Sequence, residues 1–333
     1  MIDLRKSMIA AGAFAATGGA APPPMPPTVP SAVRFDGALS VLTYNVKGLP
    51  WPIAIGRVAA AEAIGDRLRR LRQQGHAPNI VLLQEAFTDQ ARAMAASAGY
   101  RYVVDGPRVD TAAVSGPPRD SGTWWKGETE GRLAGSGLQI ASDFPIIAVR
   151  RLAFPTAACA GYDCLANKGA VLVRVRIGAT AVDVLDTHLN SRGASGVSDA
   201  RADRAYALQA EALGRFIRAV HDPHLALIAG GDFNVGAAAP RRAVLAAVVA
   251  RTGFAGSALR GAAARGLSLQ RDAVLSMLRA KDWQFFRSGT RTSIAVTAIR
   301  VPFGREPDGA MLSDHIGYIA DYAVRTPRNG GDA

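Results

Sequence analysis

Acidic, amide and imidazole side chains follow five apolar, strand-like runs that are well separated along the chain. They are Asn45, Glu85, His188 with Asn190, Asp232 with Asn234, and Asp314 with His315. Carboxylate and amide oxygens suit a hard divalent cation such as Mg²⁺, which keeps several waters and needs few protein ligands. Histidine can transfer a proton near neutral pH. The set as a whole therefore favours cation-assisted cleavage of a phosphodiester by water, although each motif alone is also compatible with turn or core residues.

The run at 227–235 indicates how such side chains would be positioned. Its apolar half predicts a buried strand, which ends at Gly230 and Gly231 before Asp232 and Asn234. Functional side chains often lie where such strands stop, but glycine, aspartate and asparagine are also ordinary turn residues. This segment by itself does not decide between a turn and a site.

The rest of the pattern alternates strands with helices and has no long low-complexity break, which predicts one α/β domain. Further strands are expected at 40–46, 79–85, 137–142, 146–149, 170–177, 181–187, 283–286, 294–299 and 316–322. Amphipathic helices are expected at 58–71 and 206–220, and glycine-interrupted helices at 238–280. The turn at Gly178 predicts a hairpin, so at least part of the sheet structure is antiparallel.

The composition favours an anionic partner. The 333 residues carry a net charge of +12, which attracts phosphates, nucleic acid or acidic lipid, although composition bias would give the same excess. The sequence has no run of eighteen strongly apolar residues, so a membrane-spanning helix is not expected.

The chain ends and the two cysteines bear on its location. We predict a signal peptide or disordered Ala/Pro-rich tail at 1–35, a single domain at 36–326 and a disordered C-terminus at 327–333. Arg5 and Lys6 precede an Ala-rich stretch and a Pro-rich segment, the order of a bacterial export signal. This favours a secreted or periplasmic protein and leaves a cytoplasmic one open. Cys159 and Cys164 would form a small disulfide loop after export, or remain two free thiols.

Five motifs, in this order, resemble those of the endonuclease/exonuclease/phosphatase superfamily. They lie at 43–50, 83–85, 186–190, 231–234 and 312–315 and span nearly the whole chain after the N-terminal tail. The resemblance implies an α/β fold, a four-layer sandwich of two mixed, largely antiparallel β-sheets flanked by helices. It also implies Mg²⁺, or Mn²⁺ or another divalent cation in its place, at one edge of the sandwich.

The resemblance also assigns roles to individual residues. The metal would be held by Glu85, Asn45 and Asp314. The phosphate would be bound by Asn45, Asn190, Asn234 and Lys168. The catalytic set would be His315, His188, Asp232, Asn234 and Asp282. In that set His315 is the general base and is oriented by Asp282, Asp232 aligns the attacking water, and His188 stabilises the phosphate or protonates the leaving group.

Within the superfamily, 135–146 and 163–169 resemble the bacterial sphingomyelin phosphodiesterase branch. The resemblance therefore favours a phospholipid over nucleic acid, with peripheral membrane contact and no obligate protein partner. One departure is that 288–313 contain only Phe303 as an aromatic residue, where secreted bacterial sphingomyelinases carry an exposed aromatic hairpin. Trp124 and Trp125 could anchor the protein at an interface, but we expect them to be packed in the interior.

Two other functions stay open from the sequence. A secreted DNase-like nuclease would use the positive charge to bind DNA phosphates. A non-catalytic phosphate- or lipid-binding protein could share the fold. His76, His221 and His224 match none of the motifs and are expected at the surface.

Overall fold

Two six-stranded β-sheets lie at the centre of the computed structural model, which describes residues 34–117, 122 and 124–326. These residues all belong to one compact unit, Val33–Ala333. The predicted N-terminal tail, apart from residues 34–35, and the predicted C-terminal tail lie outside the described residues. No helix in the described part of the chain is long and apolar enough to cross a membrane.

The first sheet carries two helices on its outer face. Its strands, in spatial order, are β11 (Ser293–Phe303), β12 (Gly317–Arg325), β1 (Ala38–Gly48), β2 (Ile80–Ala86), β4 (Gln139–Ser142) and β3 (Tyr102–Asp105). The helices are α1 (Arg57–Gln73) and α2 (Asp89–Ser97). Ile64 and Leu68 of α1 pack with Leu42 and Leu83 of the sheet, as the helical spacing of apolar residues predicts.

The second sheet is covered on its outer face by α3 (Asp199–Val220) and α4 (Ala239–Thr252). Its strands, in spatial order, are β5 (Ile146–Ala153), β6 (Gly169–Ile177), β7 (Thr180–His188), β8 (Ala226–Asp232), β10 (Asp282–Arg287) and β9 (Gly256–Ser257). The helices that follow α4 in the chain are α5 (Ala258–Ala264) and α6 (Arg271–Arg279). Leu213 of α3 and Val248 of α4 pack with Leu185 and Leu227 of this sheet.

The inner faces of the two sheets share one core. Val41 and Leu82 of the first sheet cluster with Val173 and Ile228 of the second. Because successive strand residues point to opposite faces, Ile228 enters this inter-sheet core while its neighbour Leu227 faces the helices. Each fully buried side chain of this size contributes roughly 1.5–3 kcal/mol. The layers confirm the predicted four-layer α/β sandwich of two mixed sheets.

One edge of the sandwich collects the ends of strands from both sheets. Each sheet contains one parallel pair, β1 with β2 and β7 with β8. Parallel strands end at the same edge, so Asn45 and Glu85 come together in one sheet, and His188 pairs in register with Asp232 in the other. β10 runs antiparallel to β8 and therefore begins at this edge, where Asp282 pairs with Asp232.

The two glycines before Asp232 allow the close approach of neighbouring chains. A Cβ atom at Gly230 would overlap the side chain of Leu82 from the first sheet. At Gly231, φ is +139° and a Cβ atom would overlap the carbonyl oxygen of Thr187 on β7. Only glycine fits both restrictions, so Gly230 and Gly231 let β8 carry Asp232 into the space between the sheets.

Two expectations about surface and core were wrong. Trp124 and Trp125, expected in the interior, are 67% and 63% exposed, because a single 3₁₀ turn over Trp124–Lys126 presents both rings outward. His221, expected at the surface, has a side chain only 5% exposed. It lies directly after α3 and bonds to Asp183, which draws the ring inward.

Candidate active site

The carboxylate of Asp232 is the meeting point of the predicted residues. Its Oδ2 atom accepts a hydrogen bond from Asn45 Nδ2 at 3.1 Å. The same oxygen lies 3.6 Å from His188 Nε2 and 3.7 Å from His315 Nε2. Asn45 Nδ2 also donates to Glu85 Oε1 at 2.8 Å, so one amide joins the two carboxylates of different sheets.

His315 is fixed by a second buried carboxylate. Its Nδ1 lies 2.9 Å from both oxygens of Asp282, which leaves Nε2 directed toward Asp232. The aspartate predicted to orient this ring is therefore in contact with it. A carboxylate bonded to Nδ1 selects the tautomer whose Nε2 can accept a proton.

His188 lies beside a buried lysine. Lys168 Nζ is 3.3 Å from His188 Nε2, 2.9 Å from Asp163 Oδ1 and 3.2 Å from the carbonyl oxygen of Leu189. The Lys168 side chain is only 5% exposed, so it brings a positive charge into the cluster rather than onto the surface. His188 Nδ1 has no hydrogen-bond partner among the described residues.

The two histidines experience different electrostatic environments. Burial, together with the nearby Lys168 charge, lowers the pKa of His188 to about 3. Burial would also lower the pKa of His315, but Asp282 and Asp232 outweigh it and raise that pKa to about 9. A general base must be neutral, and a cation that neutralised Asp232 would remove part of this attraction and lower the pKa of His315.

Two residues at the ends of site strands adopt a backbone conformation that is rare for residues other than glycine. Glu85 has φ +57° and Asn234 has φ +47°, both in the left-handed region. Such conformations cost of order 1–3 kcal/mol and persist where surrounding structure enforces them. They turn the chain at the ends of β2 and β8, and Asn234 then donates its backbone N–H to Asp232 Oδ1 at 2.9 Å.

Three predicted residues lie outside this cluster. Asn190 is fully buried, and its side chain bonds to the carbonyl of Ser191 and the N–H of Ala160. Asp314 is 57% exposed at its side chain and pairs with Lys47 at 2.9 Å, because it points away from the strand edge that holds its neighbour His315. The side chain of Asn234 donates to the carbonyl of Leu189. Their predicted metal and phosphate contacts stay predictions.

Arg241, on α4, holds the site from behind and was missed by sequence reasoning. Its fully buried guanidinium donates to the carbonyls of Asn190 and Asn234 at 2.7 and 2.8 Å and to Asp203 Oδ1 at 2.6 Å. It also lies over the ring of Tyr206, 4.6 Å from its centroid. Arg241 therefore ties the loops after β7 and β8 to α3 and α4. No motif marks it, since one arginine in an Arg-rich helix gives no signal.

The donor set fits a divalent cation. Ligand atoms of Glu85, His188 and Asp232 lie within 4.8 Å of one another, as do those of Asp232, Asp282 and His315. The imidazole nitrogens stop beyond hydrogen-bonding distance of Asp232, and His188 Nδ1 is an orphaned buried atom. Two carboxylates with nitrogen and amide neighbours are suitable ligands for Mg²⁺ or Mn²⁺.

Comparison with known proteins agrees with this geometry. The chain matches the Endonuclease/Exonuclease/phosphatase family over residues 42–315. It belongs to that family. The match begins within β1 and ends at His315, so it includes every residue of the cluster around Asp232.

One curated relative of the chain is named a sphingomyelinase. The chain is 26% identical over 204 residues to a sphingomyelinase of Mycobacterium bovis. The match covers 60% of this chain and 34% of that protein, so the chain spans about a third of that relative's length.

Solved structures share the fold at low identity. Beta toxin from Staphylococcus aureus, in a mutant with bound magnesium ions, superposes with a TM-score of 0.57 at 17% identity, covering 85% of this chain and 98% of the toxin. D. rerio TDP2 with a single-strand DNA product superposes with a TM-score of 0.55 at 15% identity, covering 86% and 99%. The fold alone therefore does not choose between lipid and nucleic acid.

Proposed function

We propose that the protein is a metal-dependent phosphodiesterase that cleaves a phospholipid in the manner of a sphingomyelin phosphodiesterase. The observation that carries the proposal is the convergence of Asn45, His188 and His315 on one oxygen of Asp232. Side chains from both sheets contribute to this point, and all of these residues lie within the family match over residues 42–315. No structural requirement of the fold explains two imidazoles held close to a buried carboxylate without bonding to it.

The chain's own residues would divide the reaction between two sides of Asp232. His315, oriented by Asp282, would accept a proton from the attacking water at Nε2. The bond from the water oxygen to phosphorus would form as the bond to the leaving oxygen breaks. The Lys168 ammonium, held beside the neutral imidazole of His188, would stabilise negative charge on the phosphate and supply the proton that the leaving oxygen takes up.

The cation would be held by Glu85 and Asp232, with Asn45 beside them. When bound, it supplies Lewis-acid stabilisation of charge on the phosphate oxygens. Mg²⁺ is the first choice for an oxygen-rich site, and Mn²⁺ is chemically close. Asp314, paired with Lys47, would join only if that ion pair opened.

A lipid substrate and an extracellular or periplasmic location are supported by separate features. The chain resembles a sphingomyelinase over 60% of its length. Cys159 and Cys164 form a disulfide, and disulfides persist mainly in oxidising compartments. Trp124 and Trp125 are exposed, and tryptophan favours the boundary between lipid and water.

A substrate panel tests the proposal. The purified chain would be assayed on sphingomyelin, phosphatidylcholine, plasmid DNA and a soluble aryl phosphodiester, with Mg²⁺ and with EDTA. We expect hydrolysis of sphingomyelin and of the soluble diester, lost with EDTA and restored by added Mg²⁺. Calorimetry gives a readout that is independent of turnover: the Asp232→Asn variant should bind Mg²⁺ more weakly than wild type, because Asp232 would be a ligand.

Each alternative predicts a different result. Cleavage of DNA without cleavage of lipid, with strong inhibition by salt, would favour the nuclease. Inactivity on all four substrates with Mg²⁺ present would favour a non-catalytic binding protein and refute the proposal.

A further inference from the structure

The loop that follows β1 exposes three large apolar side chains within five residues. Trp51, Ile53 and Ile55 are 81%, 69% and 85% exposed. Single exposed apolar residues are normal on protein surfaces, but a contiguous group marks an interaction site. The function proposed above does not use these residues.

The backbone of this loop is held in place while its side chains face outward. The N–H groups of Ile53 and Ala54 bond to the carbonyl of Pro50 at 2.9 and 3.2 Å. At the end of the loop, Arg57 donates to the carbonyls of Val46, Lys47 and Leu312. The exposure of the three side chains is therefore part of a formed turn, and a docking partner would meet a surface that is already ordered.

This apolar loop borders the candidate active site. It lies along an open groove of about 520 Å³ that is also lined by Lys47, Ser313 and Asp314. Asp314 precedes His315, and Lys47 follows Asn45 by two residues on β1. Ser313 in the groove donates to the carbonyl of Asn45 at 2.7 Å, so a flat partner that covered the loop would lie beside the cluster around Asp232.

The local charge suits a lipid surface. Residues 48–57 contain no aspartate or glutamate, and the apolar side chains are flanked by Arg57 and by Lys47, which pairs with Asp314. An indole ring next to aliphatic side chains and basic residues is the composition that partitions into the headgroup region, with electrostatic attraction to anionic lipids. The chain as a whole carries a net charge of +12.

We propose that Trp51, Ile53 and Ile55 form the lipid-docking surface that presents a phospholipid phosphodiester to the groove beside His315. The role of this surface in catalysis rests on the proposed function, whereas its binding to lipid does not require turnover. A soluble diester needs no interface, so the loop should matter only for substrates in a lipid layer.

Vesicle flotation of the full chain tests the docking surface. The probes are vesicles of phosphatidylcholine alone and of phosphatidylcholine with phosphatidylserine. In the Trp51→Ser/Ile53→Ser/Ile55→Ser variant we expect the partition coefficient to fall at least about tenfold, because three apolar side chains no longer enter the interface. Hydrolysis of sphingomyelin vesicles should fall in parallel, while hydrolysis of the soluble diester stays near wild type.

A matched substitution controls for loss of surface apolarity in general. Ile147 is 48% exposed at the start of β5. The neighbouring Ile146 pairs with Val175, far along β6 from the Gly169 end that adjoins the site. Ile147→Ser should leave vesicle binding unchanged, whereas the single Ile53→Ser change should weaken it.

Three results would overturn the docking surface. One is vesicle binding by the folded triple variant equal to that of wild type. Another is an equal loss of soluble-diester hydrolysis, which would mean that the loop supports the site itself. The third is a concentration-dependent dimer that the triple variant abolishes, which would assign the surface to a second copy of the chain. Wild-type vesicle binding through this loop without hydrolysis of any diester would instead refute only the proposed function.

Discussion

Strand β7 carries a buried histidine–carboxylate cluster near each of its ends, and the two clusters differ in how closely the imidazole approaches the carboxylate. Toward the start of β7, Asp183 accepts hydrogen bonds from Arg174 at 2.8 and 3.1 Å, from His221 Nδ1 at 2.9 Å and from the N–H of Asp222 at 3.1 Å. At the other end, His188 approaches Asp232 only to 3.6 Å and Glu85 only to 3.9 Å.

The same residue types therefore serve two purposes. Around Asp183 the imidazole of His221 bonds directly to the carboxylate, so this end of β7, called the closed end below, stabilises the fold. Around Asp232, at what is called the open end below, the imidazoles lie beyond hydrogen-bonding distance of the carboxylate. This leaves space and ligand atoms for a cation or a substrate. The difference teaches that a gap between imidazole and carboxylate, rather than the presence of histidine and aspartate, distinguishes the candidate active site.

The largest expected effect is on activity at the open end. Asp232→Asn should reduce phosphodiester hydrolysis by about 10²–10⁴-fold, the range found when a group acting on the transferred proton or charge is removed. The same substitution at the closed end, Asp183→Asn, should leave kcat within about twofold of wild type. Steady-state kinetics with a soluble diester measures both. Equal losses in the two variants would contradict the distinction between the clusters.

The second effect is on stability, and it is expected to be larger for the substitution at Asp183 than for that at Asp232. Asp183→Asn should lower the free energy of unfolding by about 3 kcal/mol, because it leaves the buried His221 and the partly buried Arg174 without their shared carboxylate. Asp232→Asn should cost less, since no imidazole bonds directly to Asp232. Urea denaturation followed by circular dichroism compares the two. A larger loss for Asp232→Asn would show that the open end is the structural one.

The smallest effect is the pH dependence of the closed end. Burial would raise the pKa of Asp183, but its hydrogen bonds to His221 and Arg174 outweigh burial and lower it. Since the folded pKa lies below the unfolded value of about 3.9, the stabilisation is present above that pH and is lost as the pH falls through the folded pKa. The stability difference between wild type and Asp183→Asn should therefore persist near neutral pH and shrink in acid below about pH 4.

Urea denaturation at a series of pH values measures this difference. A gap between wild type and Asp183→Asn that stayed constant into strong acid would mean that the Asp183 charge does not contribute.

Much of the architecture could be predicted from periodicity. The runs of β2 and β8 were predicted because buried strands are mostly apolar, that of β1 because it is rich in strand-forming residues, and those of β6 and β7 because they alternate across the turn at Gly178. The short strands β3 and β9 and the helix α2 were missed, although Thr88 accepts a hydrogen bond from the N–H of Ala91 as a helix N-cap. These elements carry little pattern because few of their residues reach the core.

The candidate site was predicted only in part. Ordered motifs marked Asn45, Glu85, His188, Asp232 and His315, which the fold brings together. Their exact contacts, and those of Arg241 behind them, depend on side chains that are distant in sequence. Sequence also placed His221 at the surface, because the carboxylate that draws it inward lies thirty-eight residues away.

The sequence by itself predicted an α/β domain from its periodicity and the types of side chain at the strand ends, because these are properties of neighbouring residues. The four-layer class was implied by the resemblance of its ordered motifs to a family. Only the tertiary structure decided that Asp232 is the point of convergence, that Asp314 pairs with Lys47 instead, and that Ile53 and Ile55 are exposed beside the groove. The physical reason is that pairing and exposure depend on which strand ends meet at one edge, and this meeting is set by two packed sheets rather than by any single segment.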